Sequence, residues 1–237
     1  MVRRRRHRDL SRKPFADGVV LVAEFDAGTG GQSITTDDKN ERDVRHMSAP
    51  SAQGPHQLAE RLIGRYRAAR WDAPVLEIAA GAGRNTRAFH AAGIPVIATR
   101  DDEPYTQLPG DRDAYAAALS SHGYLHGATP KVLAGLAELR RVLRPGAPVY
   151  LALGSIHDER FGFGEALDEW TFAPGDGPEM GIPHAFFDRD TILELLRGYT
   201  IESLEEIDAT NIVGEWAHEP ANEPQRILHW FVIASKD

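Results

Sequence analysis

The stretch "VLEIAAGAGRNT" (75–86) runs apolar for the length of a strand, turns on two glycines one residue apart, and resumes with residues that can open a helix. Strand, glycine turn and helix make up the first half of a βα unit. A ligand at the carboxyl end of such a strand meets both the turn and the N–H groups of the helix start. The spacing from Gly81 through Gly83 to Thr86 reads G-x-G-x-x-T, not the G-x-G-x-x-G of a dinucleotide site. The discriminating residue is Glu77. A carboxylate near the strand end repels a pyrophosphate and favours a cationic ligand. If that ligand also carries a carboxylate, the helix N–H groups can take it, with Arg84 or Asn85 alongside. The motif by itself leaves a second reading open, in which the glycines only make a tight turn and Glu77 is a solvated strand-end residue.

Working outward, the chain alternates helix and strand. "QLAERLIGRYRAA" (57–69) spaces Leu58, Leu62 and Tyr66 four apart, which predicts an amphipathic helix ahead of the strand "PVLEIAA" (74–80). After the turn come a short helix (84–93) closed by Gly93 and a second strand, "PVIAT" (95–99). A third strand is predicted at 114–121, a helix at 129–146 stopped by Pro145 and Gly146, and a strand at 147–155. A long loop (156–187) leads to a helix beginning at Asp188 and to strands at 200–207 and 226–235. This order predicts an α/β fold, a doubly wound and mostly parallel sheet with ligands at the carboxyl ends of its strands. The last strand follows another strand without a helix, so it is expected to insert antiparallel.

At 237 residues and 42% hydrophobic, the chain accommodates one such domain, assigned to 55–237. Residues 1–54 carry an arginine cluster (Arg3 to Arg6) and no sustained periodicity. They are expected to form a disordered extension, or to be upstream sequence ahead of a start at Met47, and no function is assigned to them. A net charge of -8 argues against a general nucleic-acid binder. The absence of cysteine excludes disulfides, thiolate metal sites and a cysteine nucleophile. No stretch is apolar for long enough to span a bilayer, so the expectation is a cytoplasmic protein without a membrane partner.

Taken together, "VLEIAAGAGRNT", "AALSSHGYLHG" (117–127) and "LAELRRVLRPGAPVYLAL" (136–153) resemble, in order, the first, fourth and fifth motifs of class I S-adenosylmethionine-dependent methyltransferases. The resemblance implies a Rossmann-like sheet of the seven-stranded type with an antiparallel last strand. It also implies that S-adenosylmethionine is the cofactor, bound by Glu77, Ala79, Gly81, Gly83, Arg84 and Asn85. Ser120, Ser121 and His122 would line the methyl-transfer face. The chain departs from the family pattern in three places. Ala79 replaces the first glycine of the usual triplet. Arg100 stands where an acidic residue normally holds the ribose hydroxyls, leaving Asp101 or Asp102 as substitutes. Only "DEPYTQ" (102–107) precedes "LP" where the family fits a further helix and strand, so one helix–strand unit is expected to be missing.

The acceptor is expected to be a small molecule, and positioning and exclusion of water to supply most of the catalysis. His126 is the candidate catalytic residue, a proton acceptor for a hydroxyl or thiol, and Tyr124 lies beside it. The loop 156–187 is read as a substrate cover in which Trp170, His184 and Phe187 enclose the acceptor, with Trp216 and His218 closing the mouth from the other side, or else as a loop whose aromatics anchor it to the domain. The scattered histidines lack paired ligand spacing, and no metal is expected. Two other classes stay open: a noncatalytic binding or regulatory domain of the same fold, and a nicotinamide-dependent oxidoreductase, which leaves Glu77 unexplained.

Overall fold

The computed structural model describes residues 54–177, 179–210 and 226–237. Helix α1 (Gln57–Ala69) is followed by β1 (Val75–Glu77), α2 (Arg84–Ala91), β2 (Val96–Ala98), β3 (Ala117–Ser120), α3 (Thr129–Val142) and β4 (Pro148–Ser155). The second half contains β5 (Glu165–Ala166), β6 (Thr171–Ala173), β7 (His184–Phe187), α4 (Arg189–Leu195), β8 (Tyr199–Asp208) and β9 (Leu228–Lys236). Strands β1 to β4 pair in parallel in the order β2-β1-β3-β4. β9 runs antiparallel to β4 from Pro148 to Gly154 and antiparallel to β8 on its other side. The predicted sheet and its antiparallel last strand are therefore present.

Strand alternation divides the core. Val75, Ala117, Leu119, Tyr150, Ala152 and Phe231 pack under Leu58, Leu62 and Tyr66 of α1 and Phe89 of α2. Leu76, Ala118, Val149, Leu151, Val232 and Ala234 face Val132, Leu136 and Leu139 of α3 and Ile192 of α4. Period-2 strands between period-3.6 helices thus bury both sheet faces in a three-layer arrangement. The predicted helix ends are seen too: Asp188, where the last helix is expected to begin, caps α4 by accepting from Thr191 N at 2.7 Å, and Gly93 holds φ 70° behind α2.

The abbreviated segment departs from the family pattern as expected. Between β2 and β3 no helix or named strand forms among the described residues, and β2 pairs only with β1. The chain fills that space with side chains. Tyr105 and Leu108 are buried in the α3 side of the core, and the Tyr105 ring lies 4.8 Å from that of Tyr124. Glu138 and Arg141 of α3 fasten the segment by accepting from Leu108 N at 3.1 Å and donating to the carbonyls of Leu108 and Gly110.

The loop 156–187 is more structured than a simple loop. β5 and β6 form a hairpin, β6 pairs antiparallel with β7, and β7 joins β4 in parallel at Gly154 and Ser155. That junction lies beyond Leu151, where β3 ends its pairing with β4. β7 therefore extends the sheet above the carboxyl end of β3. No helix among the described residues is long and apolar enough to cross a membrane.

Candidate functional site

The turn after β1 is held by three hydrogen bonds to two residues. Thr99, just past β2, accepts Ala79 N on its hydroxyl at 3.0 Å and Ala80 N on its carbonyl at 2.9 Å. Asp101 accepts Gly81 N at 3.0 Å. Ala79, Gly81 and Gly83 all adopt left-handed backbone, with φ of 53°, 54° and 75°. Gly81 and Gly83 suit that region, whereas Ala79 holds it against its own methyl group. The methyl sits against the fourth-motif segment, since a Cβ on Gly123 would come 3.1 Å from Ala79 Cβ.

Glu77 lies behind this turn and is only 1% exposed. Its Oε2 accepts the Thr86 hydroxyl at 2.5 Å, while Oε1 is buried and makes no hydrogen bond. Burial pushes its carboxyl above the usual range, opposed by Thr86, Asn85 and the Arg84 guanidinium. Burial in turn pushes the Arg84 guanidinium down, and the Glu77 carboxylate opposes that shift.

A cleft of about 430 Å3 opens at the carboxyl ends of β1 and β3, the point at which strand order reverses. Of the residues expected around a cofactor, Ala79, Gly81, Arg84, Asn85, Asp101, Ser121 and His122 line it, and so does His126. Glu77, Gly83 and Ser120 stand outside that lining. Between the two candidate substitutes for the ribose carboxylate, Asp101 faces the cleft and Asp102 is exposed, bound to Arg100 at 2.9 Å. Beneath the cleft the hydrogen bonds run from His56 N to Asn85 (2.8 Å), from Asn85 to Ser121 (3.2 Å), and between Ser121 and His122 (3.0 Å). Burial, then neighbouring His56 and Arg84, hold His122 well below the usual imidazole range.

The acceptor-side expectations are revised. Tyr124 is fully buried and donates to Gly135 O at 3.0 Å, so it packs α3. Phe187 belongs to the core, and Trp170 packs against it half-buried. Neither of these two lines the cleft. The reason is topological, because β7 joins the main sheet and turns its side chains into the interior. Phe161 lies 5.1 Å from Phe172 and 5.8 Å from Phe186, so these aromatics anchor the cover. Trp216 and His218 lie outside the described residues.

Several lining residues escape the sequence reading. Glu103 and Tyr105 come from the abbreviated segment, Lys131 from the first turn of α3, and Glu179 and Ile182 from the cover between β6 and β7. Lys131 Nζ stands 4.7 Å from the Tyr105 ring centroid. The only signal for Glu103 and Tyr105 was the shortness of their segment. Lys131 and Glu179 carry none, because both sit in ordinary polar surroundings along the chain. The cover also brings His184 to Glu179, with Nε2 2.7 Å from Oε2, and His126 to the other carboxylate oxygen at 3.4 Å.

No protein-family model matches the chain, and comparison with curated proteins finds no match. Solved structures do match its shape. One is the Burkholderia thailandensis 1,6-didemethyltoxoflavin-N1-methyltransferase with bound 1,6-didemethyltoxoflavin and S-adenosylhomocysteine. It is 17% identical with a TM-score of 0.55, covering 76% of this chain and 79% of that one. Another is an S-adenosylmethionine-dependent methyltransferase from Mesorhizobium loti, also 17% identical, with a TM-score of 0.51 over 75% of this chain and 98% of that one. With the sheet order and the antiparallel last strand, these likenesses give the chain the class I methyltransferase fold.

Proposed function

We propose that the chain transfers a methyl group from S-adenosylmethionine to a small-molecule acceptor. The observation that carries this reading is the charge pattern at the glycine turn. A buried carboxylate, Glu77, has one oxygen without a hydrogen bond behind the turn, and the Arg84 guanidinium lies at the cleft wall. A ligand bearing both an ammonium and a carboxylate suits a guanidinium in the cleft wall and a carboxylate charge acting from behind the turn, and a cleft of about 430 Å3 is large enough to enclose it.

The donor, when bound, supplies a methyl group already activated on a sulfonium. Arg84 and the first N–H groups of α2 hold its carboxylate. Asp101 and Glu103 offer carboxylate oxygens for hydroxyl groups from the far wall. His122 stays neutral across physiological pH and acts as a hydrogen-bonding wall. His126, whose side chain is 36% exposed, is the imidazole placed to meet an acceptor hydroxyl or thiol. The buried Tyr105 and Tyr124 keep water out from the α3 side.

Titration calorimetry with S-adenosylmethionine and S-adenosylhomocysteine tests the reading. Saturable 1:1 binding of both is expected. A folded protein, checked by circular dichroism, that binds neither would remove the proposal, and preferential binding of a nicotinamide cofactor would replace it with the oxidoreductase. The strained Ala79 and the missing helix–strand unit favour one second reading, a noncatalytic domain of the same fold. Donor binding without release of S-adenosylhomocysteine across hydroxyl, amine and thiol acceptors would select it.

A further inference from the structure

We propose that His126, Glu179 and His184 form a binding site for a divalent first-row transition-metal cation, represented by Zn2+, with an open coordination position toward the cleft. The proposal shares His126 and the cleft with the methyl-transfer reading and reassigns that imidazole, but it is tested by metal binding alone, so either reading can fail without the other.

One donor atom from each of the three side chains lies within 4.8 Å of the other two. The backbone holds the two histidines beside one another. His126 and His184 form an antiparallel bridge, Gly127 N donates to Pro183 O at 2.7 Å, and the Tyr105 hydroxyl donates to His126 O at 2.7 Å. The imidazole centroids are 4.9 Å apart and nearly perpendicular, at 84°. Glu179 reaches both rings from the cover, where Ile182 N donates to its carbonyl at 2.9 Å.

The hydrogen bond on the far side of His184 decides what its Nε2 presents. Nδ1 lies 2.8 Å from Ile182 O, and a carbonyl only accepts, so Nδ1 carries the proton. In the neutral ring Nε2 then offers a lone pair. That nitrogen is buried, on a side chain 7% exposed, and it faces a carboxylate oxygen 2.7 Å away. Two acceptors at that distance require a positive species between or beside them. A proton on Nε2 would serve His184 and Glu179 alone, whereas a metal ion also engages His126, which faces the second carboxylate oxygen. An imidazole that gives its other N–H to a backbone carbonyl is the usual support of a histidine ligand.

The donor set selects the ion. Two imidazoles and one carboxylate suit Zn2+ or Fe2+ and disfavour Mg2+ and Ca2+, which take oxygen ligands. Three protein ligands of this kind leave a position free for a further ligand. At Zn–N and Zn–O lengths of about 2.0–2.2 Å, tetrahedral ligand atoms stand roughly 3.4 Å apart, so the widest pair closes by at most about 1.4 Å from its limit of 4.8 Å. The half-exposed His126 is the ligand free to make that movement. His126 and Glu179 both line the cleft, so the open position takes an oxygen or sulfur atom of a molecule bound there, as a hydroxyl, carboxylate or thiol. His126 is then a ligand and not a free base.

The full-length protein, stripped with a chelator and dialysed, is titrated with Zn2+ against a chromophoric competitor. One equivalent at submicromolar Kd is expected, with His126→Asn and Glu179→Gln each raising Kd at least tenfold. The exposed His90→Asn serves as the control and leaves Kd unchanged. Circular dichroism melts establish that each variant is folded, and Co2+ substitution gives an independent readout through the visible absorption of a low-coordinate site. Absence of a zinc equivalent, equal affinity for Mg2+, or retention of parental affinity in both folded variants would overturn the site.

Discussion

Ala79 keeps a methyl group where the backbone turns left-handed at φ 53°. That conformation costs an L-residue about 1–2 kcal/mol, offset in part by the greater freedom that glycine has in the unfolded chain. Ala79→Gly is therefore expected to stabilise the protein by about 0.5–1 kcal/mol, read as a raised urea midpoint at unchanged slope; a lowered midpoint would show that the contact with Gly123 outweighs the strain. Glu77 is the neighbouring case, with the opposite balance of function and stability. Its carboxyl is raised chiefly by burial, so the folded state holds a proton that the unfolded state has already lost, and stability falls as pH rises above about 4.5. Glu77→Gln removes that cost while keeping the shape. The variant is expected to melt no lower than the parent at pH 7 but to bind S-adenosylmethionine roughly 3- to 10-fold more weakly, the equivalent of about 0.7–1.4 kcal/mol, through the loss of a charge that acts from behind the turn. Calorimetry that finds parental affinity would end the charge argument.

At the scale of elements, the abbreviated segment replaces a helix and strand with two buried side chains and a clasp. Tyr105 is 5% exposed, packs on Tyr124 and donates to His126 O. Tyr105→Ala is expected to cost about 3–5 kcal/mol through the cavity left behind, whereas Tyr105→Phe loses only a hydrogen bond of about 1 kcal/mol. Denaturant unfolding of the two variants checks this, and similar losses would mean that the hydroxyl carries the segment. The cap of α4 offers a smaller test. Asp188 accepts from Thr191 N at 2.7 Å, so Asp188→Ala is expected to cost about 1 kcal/mol. A change within error would assign the end of β7 to its sheet pairing alone.

At the scale of the whole molecule, four histidines are buried among the described residues, and three of them, His56, His122 and His229, are held below the usual imidazole range. Burial lowers His56 and His229 to about 3, with Arg84 contributing at the first and Arg160 at the second, and His122 is lowered as well. Between pH 6.5 and 3 the unfolded chain takes up protons at His56 and His229 and the folded chain does not, and His122 acts in the same direction. Stability is therefore complete above the unfolded value and falls with pH, by about 1.4 kcal/mol per pH unit for each ring. With a total stability of about 5–15 kcal/mol, cooperative acid unfolding is expected near pH 4–5. Melting temperatures from pH 7 to 4 check it, and a flat profile would show that these rings take up protons without unfolding the chain.

Much of the fold was legible along the chain because its signals are local. Leu58, Leu62 and Tyr66 recur at helical spacing, Asp188 can cap only the helix directly after it, and the glycines of the turn suit left-handed backbone that β-branched residues resist. The missing helix–strand unit was legible too, as a count of residues between Ala98 and Ala117. Much of the cleft wall, from Ala79 to Asn85, followed from the same motifs, since residues adjacent in sequence around a turn remain adjacent in space. Tertiary structure alone decided the side of the cleft that faces the cover. β7 enters the main sheet above β3, which buries Phe187 and sets Trp170 against the core. The same pairing carries His184 to His126, and Glu179 reaches both from a loop fifty-odd residues away from His126 in sequence. No spacing rule reports such a meeting, because the separation is closed by long-range strand pairing.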